Sequence, residues 1–246
     1  MSTTTPVVVL VHGAFAESSS WDGVVTHLRR RGVEVIAAAN PLRSLAGDAA
    51  YVRDVVTSVG RPVVLVGHSY GGSVITEAAS RSELVAGLVY VAAFAPETGE
   101  SALELSNSEP GSTLGDAIVR RELAGGGAEL FVRPELYPEQ FAADVPRAAA
   151  ELMAVSQRPA AEGALADGLP TGRPAWMTIP SWSVFGTADR NIPPAVLRAG
   201  AARAGARTVR EIDGASHAIA VSHPQEVAEV VLLAVDAARS ARGAVA

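Results

Sequence analysis

Apolar residues along the chain fall into short unbroken runs, separated by segments with helical spacing. Pro6 to Val11 is one such run, rich in valine and ending at His12-Gly13. A run without polar alternation reads as a strand buried on both faces of a parallel sheet. Ser18-Ser19-Ser20 stands where a helix cap belongs, ahead of a helix expected from Trp21 to Arg31 and stopped by Gly32. Val33 to Ala39 reads as a second strand, and 46–59 as a helix ending at Gly60. Pro62 to Gly67 is a third strand, Ser69 to Ser80 a helix, and Leu84 to Phe94 a fourth strand. This alternation predicts a doubly wound α/β sheet.

The rhythm breaks at Pro96. From there to about Ala175 no apolar run has the look of a buried strand. Helical stretches are expected around Leu114–Leu123, Pro138–Ala143 and Pro146–Ser156, interrupted by Gly125-Gly126-Gly127 and several prolines. So long a strandless segment inside an α/β chain predicts an inserted helical lid over 96–175, with 1–95 and 176–246 forming the core. The α/β rhythm resumes with strands at Pro180–Phe185 and Thr208–Ile212, a helix at Ile192–Ala204 and a closing helix from Pro224 to about Arg239. The expected sheet is mostly parallel, with about six strands. The Ala/Arg-rich tail after Arg239 is expected to fray.

A length of 246 residues fits one large α/β domain. The chain has no cysteine, which excludes disulfides, thiolate metal sites and cysteine nucleophiles. All 20 of its basic residues are arginine. Without a lysine amine, Schiff-base, pyridoxal-phosphate and P-loop chemistries are excluded. Net charge is −6, and the one short basic cluster, Arg29-Arg30-Arg31, sits at a predicted helix end where it complements the dipole. A nucleic-acid partner is therefore not expected. No apolar stretch is long enough to span a bilayer, and Met1 to Pro6 carries no basic leader, so a cytoplasmic protein without membrane attachment is expected.

Between the third strand and its helix stands Gly67-His68-Ser69-Tyr70-Gly71. A G-x-S-x-G in that setting is a nucleophile turn: its glycines let strand and helix approach, and the serine oxygen projects above the sheet. The serine needs a base. His27, in the first helix, reads as solvated. His12 reads as structural, His223 as part of a helix cap, and His68 as pointing away from its neighbour Ser69. His217, in the glycine-containing loop after the last strand, lies at the carboxyl edge of the sheet, where ligands bind in open α/β folds. The orienting acid should fall between serine and histidine. Asp189, in Gly186-Thr187-Ala188-Asp189, has its own strand-end loop and is preferred over Asp213, which shares a short loop with His217. The backbone N–H groups of Ala14 and Tyr70 are the expected oxyanion donors. Phe15, Phe94 and Trp176 are candidate pocket residues, with Phe131, Tyr137, Phe141 and Met153 of the lid as lid core or pocket wall.

Taken together, these motifs resemble the α/β-hydrolases along the whole chain. The resemblance runs from Val7–Val11 with His12-Gly13-Ala14 and Trp21 through Gly67–Gly72, Ile179-Pro180-Ser181-Trp182, Gly186–Asp189 and Ser216-His217. Within that superfamily the chain is similar to small bacterial carboxylesterases akin to plant methylesterases and hydroxynitrile lyases. The lyases carry a lysine directly after the catalytic histidine, where this chain has Ala218. The resemblance implies a cofactor-free and metal-free serine esterase acting on small, mainly neutral apolar esters. The alternatives are a hydrolase-like small-molecule receptor, and a C–C hydrolase or cofactor-free perhydrolase with the same triad.

Overall fold

The computed structural model describes residues 5–243. Six strands form one all-parallel sheet: β1 (Val7–Val11), β2 (Val35–Ala38), β3 (Val63–His68) and β4 (Val85–Val91), then β8 (Ser181–Gly186) and β9 (Val209–Ile212). Their spatial order is β2-β1-β3-β4-β8-β9. Every residue of β1 and β3 is buried, which is why both read as continuous apolar runs.

Helices cover both faces. Helix α1 (Asp22–Arg30) packs with the closing helix α11 (Pro224–Gly243) on one face, and α2 (Leu45–Val59) packs with α3 (Gly71–Ala79) on the other. The chain leaves β1 outward to β2 and returns to β3. The carboxyl ends of β1 and β3 therefore flank a topological switch point, where a crevice opens between helices of opposite faces.

Local signals explain most boundaries. Ser44 caps α2 by accepting from the Gly47 N–H, and Gly60 ends it in the left-handed conformation. The serines before α1 do something else than expected. Residues Ser18–Trp21 form a 3₁₀ turn, in which Ser20 donates to the Glu17 carbonyl and Ser18 to that of Ala38. The Ser18 and Ser20 hydroxyls are thus spent on carbonyls, and no side chain caps the helix. The closing helix continues beyond Arg239 to Gly243, and residues 244–246 of the expected frayed tail lie outside the described residues.

The segment between β4 and β8 is not purely helical. It contains α4 (Ala102–Ser106), α5 (Leu114–Ala117), β5 (Ile118–Glu122), β6 (Ala128–Val132), α6 (Tyr137–Phe141), α7 (Arg147–Ser156), β7 (Ala160–Ala161) and α8 (Glu162–Ala166). The expected helix over 114–123 ends after one turn. Strands β5 and β6 form an antiparallel hairpin, with β7 on the far side of β6. The reversal uses Gly126 and Gly127, both with positive φ, and Arg121 pairs with Glu129 directly opposite it. A cross-strand ion pair and β-branched Ile118 and Val119 thus outweigh the helical spacing. The remaining core helices are α9 (Pro194–Arg203) and the short α10 (Ile219–Ser222). Among the described residues no helix is long and apolar enough to cross a membrane.

Candidate active site

Ser69 sits at the β3–α3 turn with φ +55°, in the left-handed region. For a side-chain-bearing residue this costs about 1–3 kcal/mol and must be enforced by its surroundings. The enforcement is visible. The Ser69 N–H donates to the Val91 carbonyl, and the Ser69 carbonyl accepts from the Gly72 and Phe94 N–H groups. Strand and helix close so tightly that a Cβ at Gly67 would lie 2.4 Å from the Gly71 carbonyl oxygen. The loop after β1 presses on the same turn, where a Cβ at Gly13 would lie 2.6 Å from that of Ser69. This contact brings Ala14 beside the serine. Neither the Ala14 nor the Tyr70 N–H has a backbone acceptor among the described residues, and both residues line the cavity at Ser69.

His217 reaches the same cavity from the loop after β9. Its Nδ1 lies 2.7 Å from Asp189 Oδ2, and both side chains are buried. The other Asp189 oxygen accepts from the Asn191 and Ile192 N–H groups at 2.8 and 2.9 Å. A carboxylate oxygen accepts, so His217 Nδ1 is the donor in this contact, and Nε2 is the ring nitrogen left to face the cavity. Asp213, the alternative acid, instead accepts from Thr187 Oγ1 at 3.0 Å and is not bonded to His217.

The His217 ring is clamped between Phe141, edge-on with centroids 4.9 Å apart, and His68 at 4.7 Å. His68 Nε2 lies 3.0 Å from the His217 carbonyl oxygen and donates to it. Burial pushes the His68 pKa well below the ordinary histidine value, and the neighbouring His217 adds to this. His68 is therefore a neutral brace for the base, a role hidden in a sequence where it reads only as the serine's neighbour.

The geometry has the layout of a hydrolase, and a family model described as "Alpha/beta hydrolase family" matches residues 8–230. The chain belongs to the alpha/beta hydrolase family. An Aspergillus novofumigatus (strain IBT 16806) relative, "Alpha/beta hydrolase nvfD", is 32% identical over 109 residues. That match covers 37% of this chain and 44% of the relative, so the chain matches less than half of that protein's length. Among solved structures, polyneuridine aldehyde esterase superposes with a TM-score of 0.78 at 23% identity, covering 93% of this chain and 98% of that one. An extracellular alpha/beta-hydrolase from a Paenibacillus species, described as sharing homology with tobacco Salicylic Acid Binding Protein 2, gives 0.72 at 22% identity, covering 93% and 98%. At these identities the likeness is one of fold.

This hydrolase cavity is mostly apolar. Phe15, Phe94 and Phe141 line it, and the inserted segment adds Leu114, Ile118 and Leu130. Trp176 does not, contrary to the sequence-based expectation. It precedes β8, and its indole N–H donates to the Pro96 carbonyl at 2.9 Å, which fastens it away from the cavity. Of the other aromatic and methionine candidates in the insertion, only Phe141 lines this space. Tyr137 stacks on Phe141 and donates to the Phe15 carbonyl, Phe131 lies under the Arg121 guanidinium, and Met153 lines a separate surface cavity. Among the described residues, no Asp, Glu, Lys or Arg side chain lines the cavity, and no cluster of three or more metal-ligating side chains exists.

Proposed function

We propose that this hydrolase cleaves carboxylic esters of small, mainly neutral apolar substrates through a covalent acyl-enzyme. The single observation that carries the reading is the buried 2.7 Å His217–Asp189 bond, beside a serine held in a strained strand–turn–helix turn at the same cavity. Ser69 Oγ attacks the ester carbonyl carbon as its proton passes to His217 Nε2. Asp189 keeps the imidazole oriented and stabilises its cation. The Ala14 and Tyr70 N–H groups hold the developing oxyanion. The C–O bond breaks, the alcohol leaves with the proton from His217, and water then releases the acid by the reverse sequence. No metal or cofactor enters these steps. Residues 96–175 act as a lid, because Leu114, Ile118 and Leu130 supply one wall of the cavity. The uncharged lining favours neutral esters, since an ionised group would be buried there unpaired.

The test is a hydrolysis screen over short acyl and aryl esters, lactones and amides, with Ser69→Ala as control. Turnover of esters, lost by on the order of 10⁶ in Ser69→Ala, supports the reading. An organophosphate should add once per chain, at Ser69. Labelling elsewhere, or unchanged hydrolysis by the variant, overturns it. Saturable ligand binding without a burst or turnover on any ester moves the protein to the receptor class.

A further inference from the structure

Asn191 is 1% exposed and lines the cavity that holds Ser69 and His217. Its side-chain amide is braced by a polarised chain. Thr113 Oγ1 donates to Gln140 Oε1 at 2.8 Å. Gln140 Nε2 donates to the Arg190 carbonyl at 3.0 Å and to Asn191 Oδ1 at 2.8 Å. A backbone carbonyl only accepts, so the Arg190 contact fixes which end of Gln140 carries hydrogens. That in turn fixes the Asn191 oxygen toward Gln140. Asn191 Nδ2 is left buried with no hydrogen-bond partner among the described residues. Folded proteins leave few such groups without a reason. The side-chain donors of the other polar wall residues, Ser69 and His217 aside, already have acceptors, Tyr70 giving its hydroxyl hydrogen to Asp48. Ser106 and Asn107 donate to the Leu103 carbonyl, and Ser112 donates to that of Asn191.

We propose that Asn191 Nδ2 is a specificity-determining donor for the substrate. This rests on the esterase reading and narrows it. The substrate carries a second oxygen acceptor, an ether, carbonyl or hydroxyl, besides the scissile carbonyl whose oxygen goes to Ala14 and Tyr70. A site built to hydrogen-bond one group discriminates strongly against an analogue lacking it, because its own donor then stays unpaired. An apolar wall around one fixed donor also makes the recognition positional.

Matched methyl esters test this. Methyl methoxyacetate, 3-methoxypropanoate and 4-methoxybutanoate each replace one methylene of butanoate, pentanoate and hexanoate by oxygen. The pair of 2-methoxyethyl acetate and butyl acetate probes the alcohol side. With kcat/KM normalised to hydroxide hydrolysis, the oxygen-bearing member should be favoured about tenfold in at least one pair. The preference, read as the ratio within each pair whatever the variant's absolute rate, should vanish in Asn191→Leu. If that variant does not fold, Gln140→Leu removes the brace and should weaken the same preference. Ester hydrolysis with no oxygen preference in any pair overturns the donor and leaves the esterase standing. Calorimetry of the same pairs with Ser69→Ala reads the donor without turnover. A binding preference there without hydrolysis by the intact chain keeps the donor and overturns the esterase. Equal binding across all pairs overturns the donor.

Discussion

The Asp189 carboxylate collects N–H groups from His217, Asn191 and Ile192, while Asp213 faces the hydroxyl of Thr187. Asp189→Asn removes the anion that holds the His217 tautomer, and turnover should fall by roughly 10⁴ in a folded protein. Asp213→Asn should stay within a few-fold of the parent. Steady-state kinetics on one ester checks both, and the opposite ranking would assign the acid to Asp213. His68 sets an acid limit on stability. Its pKa is depressed in the fold, by burial first, so below the ordinary value of 6.5 the unfolded chain binds a proton that the folded chain refuses. The stability this contributes is present above 6.5 and is lost as pH falls toward the folded value; buried His12, also lowered by burial, acts in the same direction. The unfolding temperature should drop between pH 7 and 5, and less steeply in His68→Gln, whose amide still reaches the His217 carbonyl. Calorimetry against pH reads both slopes, and identical slopes would exclude His68. At this scale the meeting of Asp189 with His217 at the cavity that holds Ser69 was legible, because each stands in a motif or strand-end loop at the carboxyl edge of the sheet. The settings of Asn191 and His68 were not, because their side chains are held by Gln140 and by the His217 carbonyl, which lie far away in sequence.

Strands β1, β3 and β4 are each covered on both faces, so nearly every position is apolar and the run announces itself. The hairpin of β5 and β6 has no such signature. Leu114, Ala117 and Ile118 follow helical spacing, and the residues that make 118–122 a strand lie across the turn, at 128–132. The Gly125-Gly126-Gly127 run read as an interruption between helices because local sequence does not say what lies on its far side. The hairpin matters for the site, since Ile118 and Leu130 both reach the cavity. Neither touches the reacting groups, so their contacts are worth as much to the substrate as to its transition state. Ile118→Ala should therefore raise KM several-fold for the better hydrophobic esters and leave kcat nearly unchanged. A matching loss in kcat would mean that the hairpin orders the catalytic groups themselves.

Across the whole molecule, the switch point between β1 and β3 gathers the Ala14 and Tyr70 amides around Ser69, and the loops after β8 and β9 add Asp189 and His217. What lines the cavity bears on the proposed reaction class. A cyanohydrin lyase must stabilise cyanide as it departs, and a fixed cation near the histidine does so by direct charge attraction. Here Ala218 follows His217, the chain has no lysine, and no arginine lines the cavity among the described residues. Ester hydrolysis asks for no such cation, because the leaving alkoxide takes its proton from His217. The same absence of charge bears on substrates: a neutral methyl ester should be preferred over the half-ester of a dicarboxylate of equal length by about a hundredfold in kcat/KM. With mandelonitrile, cyanide release should not exceed the buffer blank. Release above the blank that disappears in Ser69→Ala would show that this site stabilises cyanide without a cation, and the assignment to ester hydrolysis would have to yield to a lyase.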